Sequence, residues 1–258
     1  MSHYDHRVHA GNAGDVWKHF LLLEAANYLL DSDSSLVYAE SHVGRPGYAL
    51  RAPGDWEGGI GKILPHLSSL RNFCYFDILA DLNQQSLILG LGIYPGSARL
   101  VMELAERKRA KLQAEFWDID ADVIDAWRQY QQIALYLGDG FSGVMSLLDR
   151  QPPGLLLIDP PFIDPSEAIS AEKLFVAAKE KGWTVLCWYM MDREALASDS
   201  ITKFSIDFSK IELDCGRARG CTIALACPND SLRRHLDGRI KTFIKTMRKF
   251  SSGSSKSI

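Results

Sequence analysis

Apolar positions along this chain follow two rhythms, and their alternation predicts the architecture. Behind Asp15, the residues Val16, Phe20, Leu23 and Leu30 recur at helical spacing, which predicts an amphipathic helix over residues 15–30. Residues 36–40 (LVYAE) then read as a short apolar strand ending in an acid, followed by a loop over residues 42–47 with two glycines and a proline. Residues 49–89 break the rhythm, with Pro53, Gly54, Gly58, Gly59, Gly61 and Pro65 ahead of two apolar helical pieces. They are expected to form a small, mostly helical insertion subdomain. Alternation resumes with a helix over 97–111, a strand over 114–117 ending at Asp118, and a helix over 120–130. A strand over 133–137 ending at Gly138-Asp139-Gly140, a short helix over 141–149 and a buried strand over 154–158 ending at Asp159 come next. A helix over 166–181, strands over 184–189, 204–213 and 221–226, a basic helix over 230–249 and a disordered tail over 251–258 complete the reading.

Strands separated by helices predict an α/β fold with a doubly wound parallel sheet, which binds ligands outside the carboxyl ends of its strands. Four strands here end in Glu40, Asp118, Asp139 and Asp159, so four acids are expected on one rim. A single acid at such a position would mean only a helix cap.

Composition adds limits. The 258 residues, 47% hydrophobic and 24% charged, suit one enlarged domain spanning 1–258. No apolar run approaches the roughly 18 residues of a membrane span. The polar opening MSHYDHRVHAGN has no apolar signal core, so a cytoplasmic location is the default expectation. Five cysteines, an odd number with no C-x-x-C pair, read as reduced thiols, and no residue cluster suggests a metal. Oligomeric state is not legible. The net charge of −3 does not favour a polyanionic partner, but the charge is uneven. Arg233, Arg234, Arg239, Lys241, Lys245, Arg248, Lys249 and Lys256 face a single acid, Asp237, and Arg107, Lys108, Arg109 and Lys111 form a second cluster. Either run suits a phosphate backbone, and either suits a solvated helix face.

The strongest local signal is Asp159-Pro160-Pro161-Phe162 behind the apolar run 155–158. Two prolines end the strand, and a residue before proline avoids the helical region, so the chain leaves Asp159 extended. The result is a rigid edge with two acceptors, the Asp159 carboxylate and the Pro160 carbonyl, beside an aromatic plate, Phe162. An adenine amine is a poor nucleophile because its lone pair is delocalised into the ring. Two acceptors can take its N–H groups and stabilise the positive charge that develops on nitrogen during attack, while Phe162 stacks on the base. The same four residues could also be only a turn that ends a core strand.

Asp-Pro-Pro-Phe/Tyr resembles the motif of amino-directed adenine and cytosine methyltransferases. The resemblance extends to Tyr4-Asp5-His6-Arg7-Val8-His9-Ala10-Gly11-Asn12 with Asp15, Val16, Lys18 and His19, then to Tyr94-Pro95-Gly96-Ser97, Asp139-Gly140-Phe141 and Asp159-Pro160-Pro161-Phe162. In that order these look like the landmarks of the ribosomal large-subunit RNA adenine-N6 methyltransferase J family. The resemblance covers residues 4–162 and weakens afterwards, although Arg219-Gly220 before a strand also fits. It implies a Rossmann-like S-adenosylmethionine-dependent methyltransferase fold with a helical insertion after the first strand, S-adenosylmethionine as methyl donor, and ribosomal RNA as partner. By position, it implies a cofactor shell of His19, His42, Ser97, Asp118, Asp139, Gly140 and Asp159. Asp159, Pro160 and Phe162 would hold the target amine and base, with Tyr4 and Lys18 closing over the base.

The sequence departs from the family in one loop. Where the family reads close to Asp-Thr-His-Ala-Gly-Ala-Gly, this chain has Glu40-Ser41-His42-Val43-Gly44-Arg45-Pro46-Gly47, which places Arg45-Pro46 inside the turn and offers Arg45 to a carboxylate or phosphate. Phe162 stands where tyrosine is more usual. The motif alone leaves open a methyltransferase acting on DNA adenine, cytosine or a protein glutamine. It also leaves open a nucleic-acid-binding protein of the same fold, a reading that suits the family's link to use of external DNA.

Overall fold

The computed structural model describes residues 9–87, 93–191, 201–214 and 218–253. Helices begin where short polar side chains can cap them. Asn12 accepts from the Asp15 N–H at 2.9 Å at the start of α1 (Ala13–Ser32). Asp120, Asp139 and Asp164 do the same for α5 (Ala121–Trp127), α6 (Gly140–Leu147) and α7 (Pro165–Glu180). Pro165 adds its fixed φ in the first turn of α7, where no N–H is needed.

Seven strands form the main sheet: β1 (Ser35–Glu40), β4 (Lys111–Asp118), β5 (Ile133–Leu137), β6 (Leu155–Ile158), β7 (Thr184–Met190), β8 (Thr202–Asp207) and β9 (Gly220–Ala226). Their order is β5-β4-β1-β6-β7-β9-β8. β1 pairs in parallel with β4 on one side and β6 on the other, while β9 runs antiparallel to both β7 and β8. From β1 the chain works outward to β5, then returns to place β6 on the other side of β1. The order therefore reverses between β1 and β6, where sheets of this kind open a crevice at their carboxyl ends.

Apolar side chains of β6 alternate between the two faces. Leu155 and Leu157 join the core under α1, α4 (Ser97–Arg107) and α8 (Asp230–Gly253), and Leu156 and Ile158 join the core under α6 and α7. A strand covered on both sides is apolar throughout, as this one is.

The helical insertion follows β1. A short ribbon of β2 (Gly47–Ala49) and β3 (Ile93–Pro95) encloses a 3-10 turn at Asp55–Glu57, α2 (Ile60–Ile63), a 3-10 stretch at Leu64–Leu70 and α3 (Cys74–Leu87). It packs onto the main body rather than projecting from it. Phe73 and Phe76 meet Phe20 of α1 and Phe243 of α8 in one aromatic cluster, with ring centroids 4.7–6.3 Å apart. This packing corrects the expected character of α1. Apolar and charged residues alike are buried from Ala13 to Ala26, because α3, α4, α8, β1 and β9 all lie against it. The helix is a central element rather than an amphipathic surface helix. The strand expected over 204–213 is also shorter: Asp207 accepts from the Ser209 N–H and turns the chain into a 3-10 stretch, Phe208–Ile211. The expected tail over 251–258 falls largely outside the described residues, since α8 ends at Gly253.

Candidate active site

At the switch point the loop after β1 threads between the carboxyl ends of β6 and β4. Ser41 N–H donates to the Leu157 carbonyl at 3.2 Å and Val43 N–H to the Trp117 carbonyl at 3.0 Å. Gly44 N–H donates to the Asp118 carboxylate at 3.2 Å. Gly44 has φ +62°, and a Cβ there would lie 2.6 Å from the Tyr48 hydroxyl, so the altered loop keeps glycine where the backbone demands it. Among the described residues the Arg45 guanidinium reaches one acid, Asp122, at 3.9 Å and with that carboxylate 83% exposed, while its N–H donates to the Tyr48 hydroxyl at 2.8 Å.

One wall of the crevice is built from α1 and β6. Lys18 lies 2.6 Å from the Asp159 carboxylate and 2.8 Å from Asp15. Burial disfavours the Lys18 charge, but Asp15 and Asp159 together outweigh that and hold its pKa well above the ordinary lysine value. Asp15 in turn accepts from the Gly11 N–H at 2.9 Å. The motif spacing had not singled out Asp15 as a site residue; its signal was the i, i+3 spacing to Lys18 on one helix. Lys18, expected to close over a base, is thus a buried cation clamped between two carboxylates. Tyr4 lies outside the described residues.

Behind this wall lies Glu40, expected on the rim but fully buried. It accepts from the Tyr38 hydroxyl and, at 2.8 Å, from the Ser97 hydroxyl. Burial pushes its carboxyl up to about 8, and nearby Asp159 adds to that, against the two hydroxyl donors and Lys18. The rim therefore begins one residue later, at Ser41, and Ser97 fastens α4 to the end of β1. His19 is also buried. Its Nδ1 meets the Tyr94 hydroxyl at 2.9 Å, which meets the Tyr75 hydroxyl at 2.8 Å, and the His19 and Tyr94 rings stack with centroids 5.6 Å apart.

The ring of Phe162 is not displayed to solvent. The residue is 5% exposed with φ +51°, a left-handed turn that costs a bulky residue about 1–2 kcal/mol. Its ring joins the core under α7 and lies 6.4 Å from that of Trp188. The side chain expected to stack on a base instead braces the Asp159-Pro160-Pro161 edge from inside.

The other wall is built from β4 and β5 and is open. Asp118 accepts from the Gly44 N–H and, at 2.9 Å, from the Asp120 N–H, which leaves carboxylate lone pairs free. Asp139 caps α6, accepting from the Phe141 and Ser142 N–H groups at 3.2 Å each and from the Ser142 hydroxyl at 2.5 Å. The Ser142 hydroxyl, followed by those N–H groups and His42, holds its pKa below the usual carboxylate range. His42 bonds to Ser41 at 2.9 Å and sets its ring edge-on to Phe141 at 4.8 Å; burial lowers its pKa against the pull of Asp159, Asp118 and Asp139.

Between the two acids, Ile119 is 76% and Leu137 61% exposed, an apolar surface that the sequence reading did not single out. Gly140 comes so close to the first loop that a Cβ would lie 1.6 Å from the Ser41 carbonyl oxygen, so only glycine allows the two loops to meet there. A nucleoside with a charged tail fits this wall: acids for hydroxyls, apolar side chains for a flat ring, and a bare backbone edge. Among the described residues no group of three or more His, Cys, Asp or Glu is placed to hold a metal.

Comparison with known proteins is consistent with this geometry. Residues 33–198 match the family model described as "Ribosomal RNA large subunit methyltransferase D, RlmJ". The chain is 27% identical over 203 residues to the ribosomal RNA large subunit methyltransferase J of Haemophilus influenzae, a match covering 73% of this chain and 70% of that one. It is 28% identical over 173 residues to the protein of the same name from Escherichia coli, covering 63% of this chain and 60% of that one. The crystal structure of protein LPL1258 from Legionella pneumophila superposes with a TM-score of 0.73 at 21% identity, over 89% of this chain and 92% of that one, and shares the fold.

Proposed function

The chain belongs to the large-subunit ribosomal RNA methyltransferase J family and has its Rossmann-like methyltransferase fold with helical insertions, and from that premise we propose that it methylates the N6 amine of an adenine in large-subunit ribosomal RNA. The observation that carries this reading is the Asp159-Pro160 edge at the switch point, where β6 ends beside the loop that leaves β1. Family membership makes the activity S-adenosylmethionine-dependent. When bound, that cofactor supplies an electrophilic methyl group. Asp118 would hold its ribose hydroxyls, and Asp139, Gly140, Ile119 and His42 would surround its adenine. Asp159 would stand toward its reacting end, with His19 and Ser97 positioning the β1 and β3 loops behind it.

The chain's own residues then account for the transfer. The Asp159 carboxylate and the Pro160 carbonyl take the two N–H groups of the target amine, which orients its lone pair and stabilises the charge that develops on nitrogen. Lys18 fixes the Asp159 carboxylate in place from behind, at 2.6 Å. Orientation supplies much of the gain, because it replaces a bimolecular encounter with a held geometry. The target base must leave its stack, at a cost of a few kcal/mol. Such a substrate places the protein with the ribosome, in the cytoplasm.

The test uses protein-free large-subunit ribosomal RNA. The protein should transfer methyl groups to adenine N6 in that RNA and not to DNA. Asp159→Ala should abolish transfer while calorimetry still detects S-adenosylmethionine binding. Full methylation by that variant would sink the assignment. Failure of the wild-type protein to bind S-adenosylmethionine at millimolar concentration would favour a nucleic-acid-binding protein on the same fold.

A further inference from the structure

Helix α8 carries seven Lys and Arg against two Asp in a chain whose net charge is −3, so the rest of the molecule is acidic. Its polar face is a continuous stripe. Arg234, Lys241, Lys245, Arg248 and Lys249 are exposed and fall on one side at helical spacing, opposite the buried Leu232, Leu236, Phe243 and Met247. Lys241 pairs only with half-exposed Asp237 on the same helix, and Lys245 makes no ion pair among the described residues.

Topology decides where this stripe leads. β9 is antiparallel to its neighbours, so it ends at Ala226 beside Val185, at the end of the sheet away from the site. α8 starts there and runs back along α1, which descends from the site. Ser231 touches Tyr28, Arg239 binds Glu24 at 2.6 Å, and Phe243 stacks on Phe20 at 4.7 Å. Near its far end, Phe250 stacks on His66 at 4.1 Å, beside Met247 and Ile211. Two more cations border that end. Lys62 of α2 is exposed and donates to the Glu212 carbonyl at 2.9 Å, and Lys210 is exposed on the 3-10 stretch after β8. α2 is tied directly to the site, because Ile60 N–H donates at 2.8 Å to the carbonyl of Gly11, whose own N–H donates to Asp15.

In the other basic run, two of the four cations are committed to acids. Arg107 is engaged by Asp77, Asp81 and Glu103 at 3.1–3.5 Å, and Lys108 by Asp31. Lys111 opens β4, at the end of the sheet opposite the site.

We propose that the exposed stripe of α8, continued by Lys62 and Lys210, is the surface that holds the phosphate backbone of the RNA flanking the target base. It rests on the ribosomal RNA reading above and adds where the RNA lies. Phosphate contacts of this kind set register and affinity without reading sequence. The stripe is long enough for such a role, since Arg234 to Lys249 span about 22 Å of α8.

The experiment compares wild type with Lys210→Glu/Lys245→Glu/Arg248→Glu and with the milder Lys210→Gln/Lys245→Gln. The probe is a protein-free large-subunit ribosomal RNA transcript, followed by fluorescence anisotropy across a salt series. Charge reversal should weaken RNA binding by tenfold or more. The Gln pair should weaken it less and flatten the slope of log K against log salt by about 0.7–0.9 per charge removed. S-adenosylmethionine affinity, read by calorimetry, and kcat at saturating RNA should stay at wild-type values, as should RNA affinity in Lys111→Glu. Wild-type RNA affinity and salt slope in both stripe variants would overturn the proposal, as would an equal loss in Lys111→Glu. If wild type binds this RNA through the stripe but methylates none of it, the functional reading fails and the surface stands. If wild type methylates it and the stripe variants bind as well as wild type, the surface fails and the functional reading stands.

Discussion

The two walls of the crevice handle charge in opposite ways. On the α1 and β6 side, Asp15, Lys18 and Glu40 are buried, and each is committed to a partner inside the protein. On the β4 and β5 side, Asp118 and Asp139 sit at the surface, and their bonds go to backbone N–H groups of the adjoining loops and, for Asp139, also to the Ser142 hydroxyl. A buried charge without its partner is strongly destabilising, whereas a surface charge is screened by water and replaceable. The dry wall is therefore expected to be rigid and sensitive to single substitutions, and the wet wall tolerant and free to take a ligand.

Lys18→Met should break this contrast most severely. It leaves Asp15 buried without its cation, and a loss of about 3–5 kcal/mol in chemical denaturation is expected. Adding Asp15→Asn should return part of it, because the more deeply buried of the two carboxylates then no longer lacks a cation, while the more exposed Asp159 still does. A loss below about 1 kcal/mol in Lys18→Met would mean that water reaches this wall.

Glu40→Gln comes next, and its signature is a pH dependence. The folded carboxyl titrates near 8 and the unfolded one near 4.5. The folded state therefore holds the proton more tightly. The stability this contributes is complete below about pH 4.5 and is lost as pH rises through 8. Wild type should weaken from pH 5 to 8, by at least about 2 kcal/mol given about 1.4 kcal/mol per unit, and Glu40→Gln should remove that slope. Parallel stability–pH curves for the two proteins would show that Glu40 titrates normally.

On the wet wall the effects shrink. Asp139→Ala removes the cap of α6 and should cost about 1 kcal/mol, with a larger effect on S-adenosylmethionine affinity than on melting. Arg45→Ala should change stability by no more than about 0.5 kcal/mol, because its acidic partner among the described residues, Asp122, is distant and exposed. A loss comparable to that of Lys18→Met in either variant would erase the distinction between the walls.

The sheet was legible in the sequence because its strands are short apolar runs punctuated by Asp and Gly; of the acids that end them Asp139 is itself a helix cap, while α5 and α7 are capped by Asp120 and Asp164, a few residues further on. The burial of α1 was not legible. Asp15, Lys18 and Glu24 are all buried along it, and only α8, more than 200 residues further on, supplies the Arg239 that lets Glu24 be buried. The positions of Glu40 and Phe162 were missed for a related reason. Strand periodicity locates the end of β1 to within a residue or two, and one residue separates the buried Glu40 from the rim at Ser41. A motif gives the order Asp-Pro-Pro-Phe, but not the left-handed turn that carries Phe162 into the core. The apolar exposure of Leu137 goes with β5 being an edge strand, which the strand order establishes and the local sequence does not.

The contact between α1 and α8 also constrains the timing of folding. Glu24 and Arg239 are separated by 215 residues, so during synthesis α1 emerges long before the helix that covers it. Until then Trp17 and Phe20 lack Phe243, and Glu24 lacks its guanidinium. Closure of this core must wait for α8, and long-range closure of this kind makes folding slow and leaves apolar surface open to association. Chains released before α8 should accumulate as soluble-chaperone clients or aggregates rather than as a smaller folded protein.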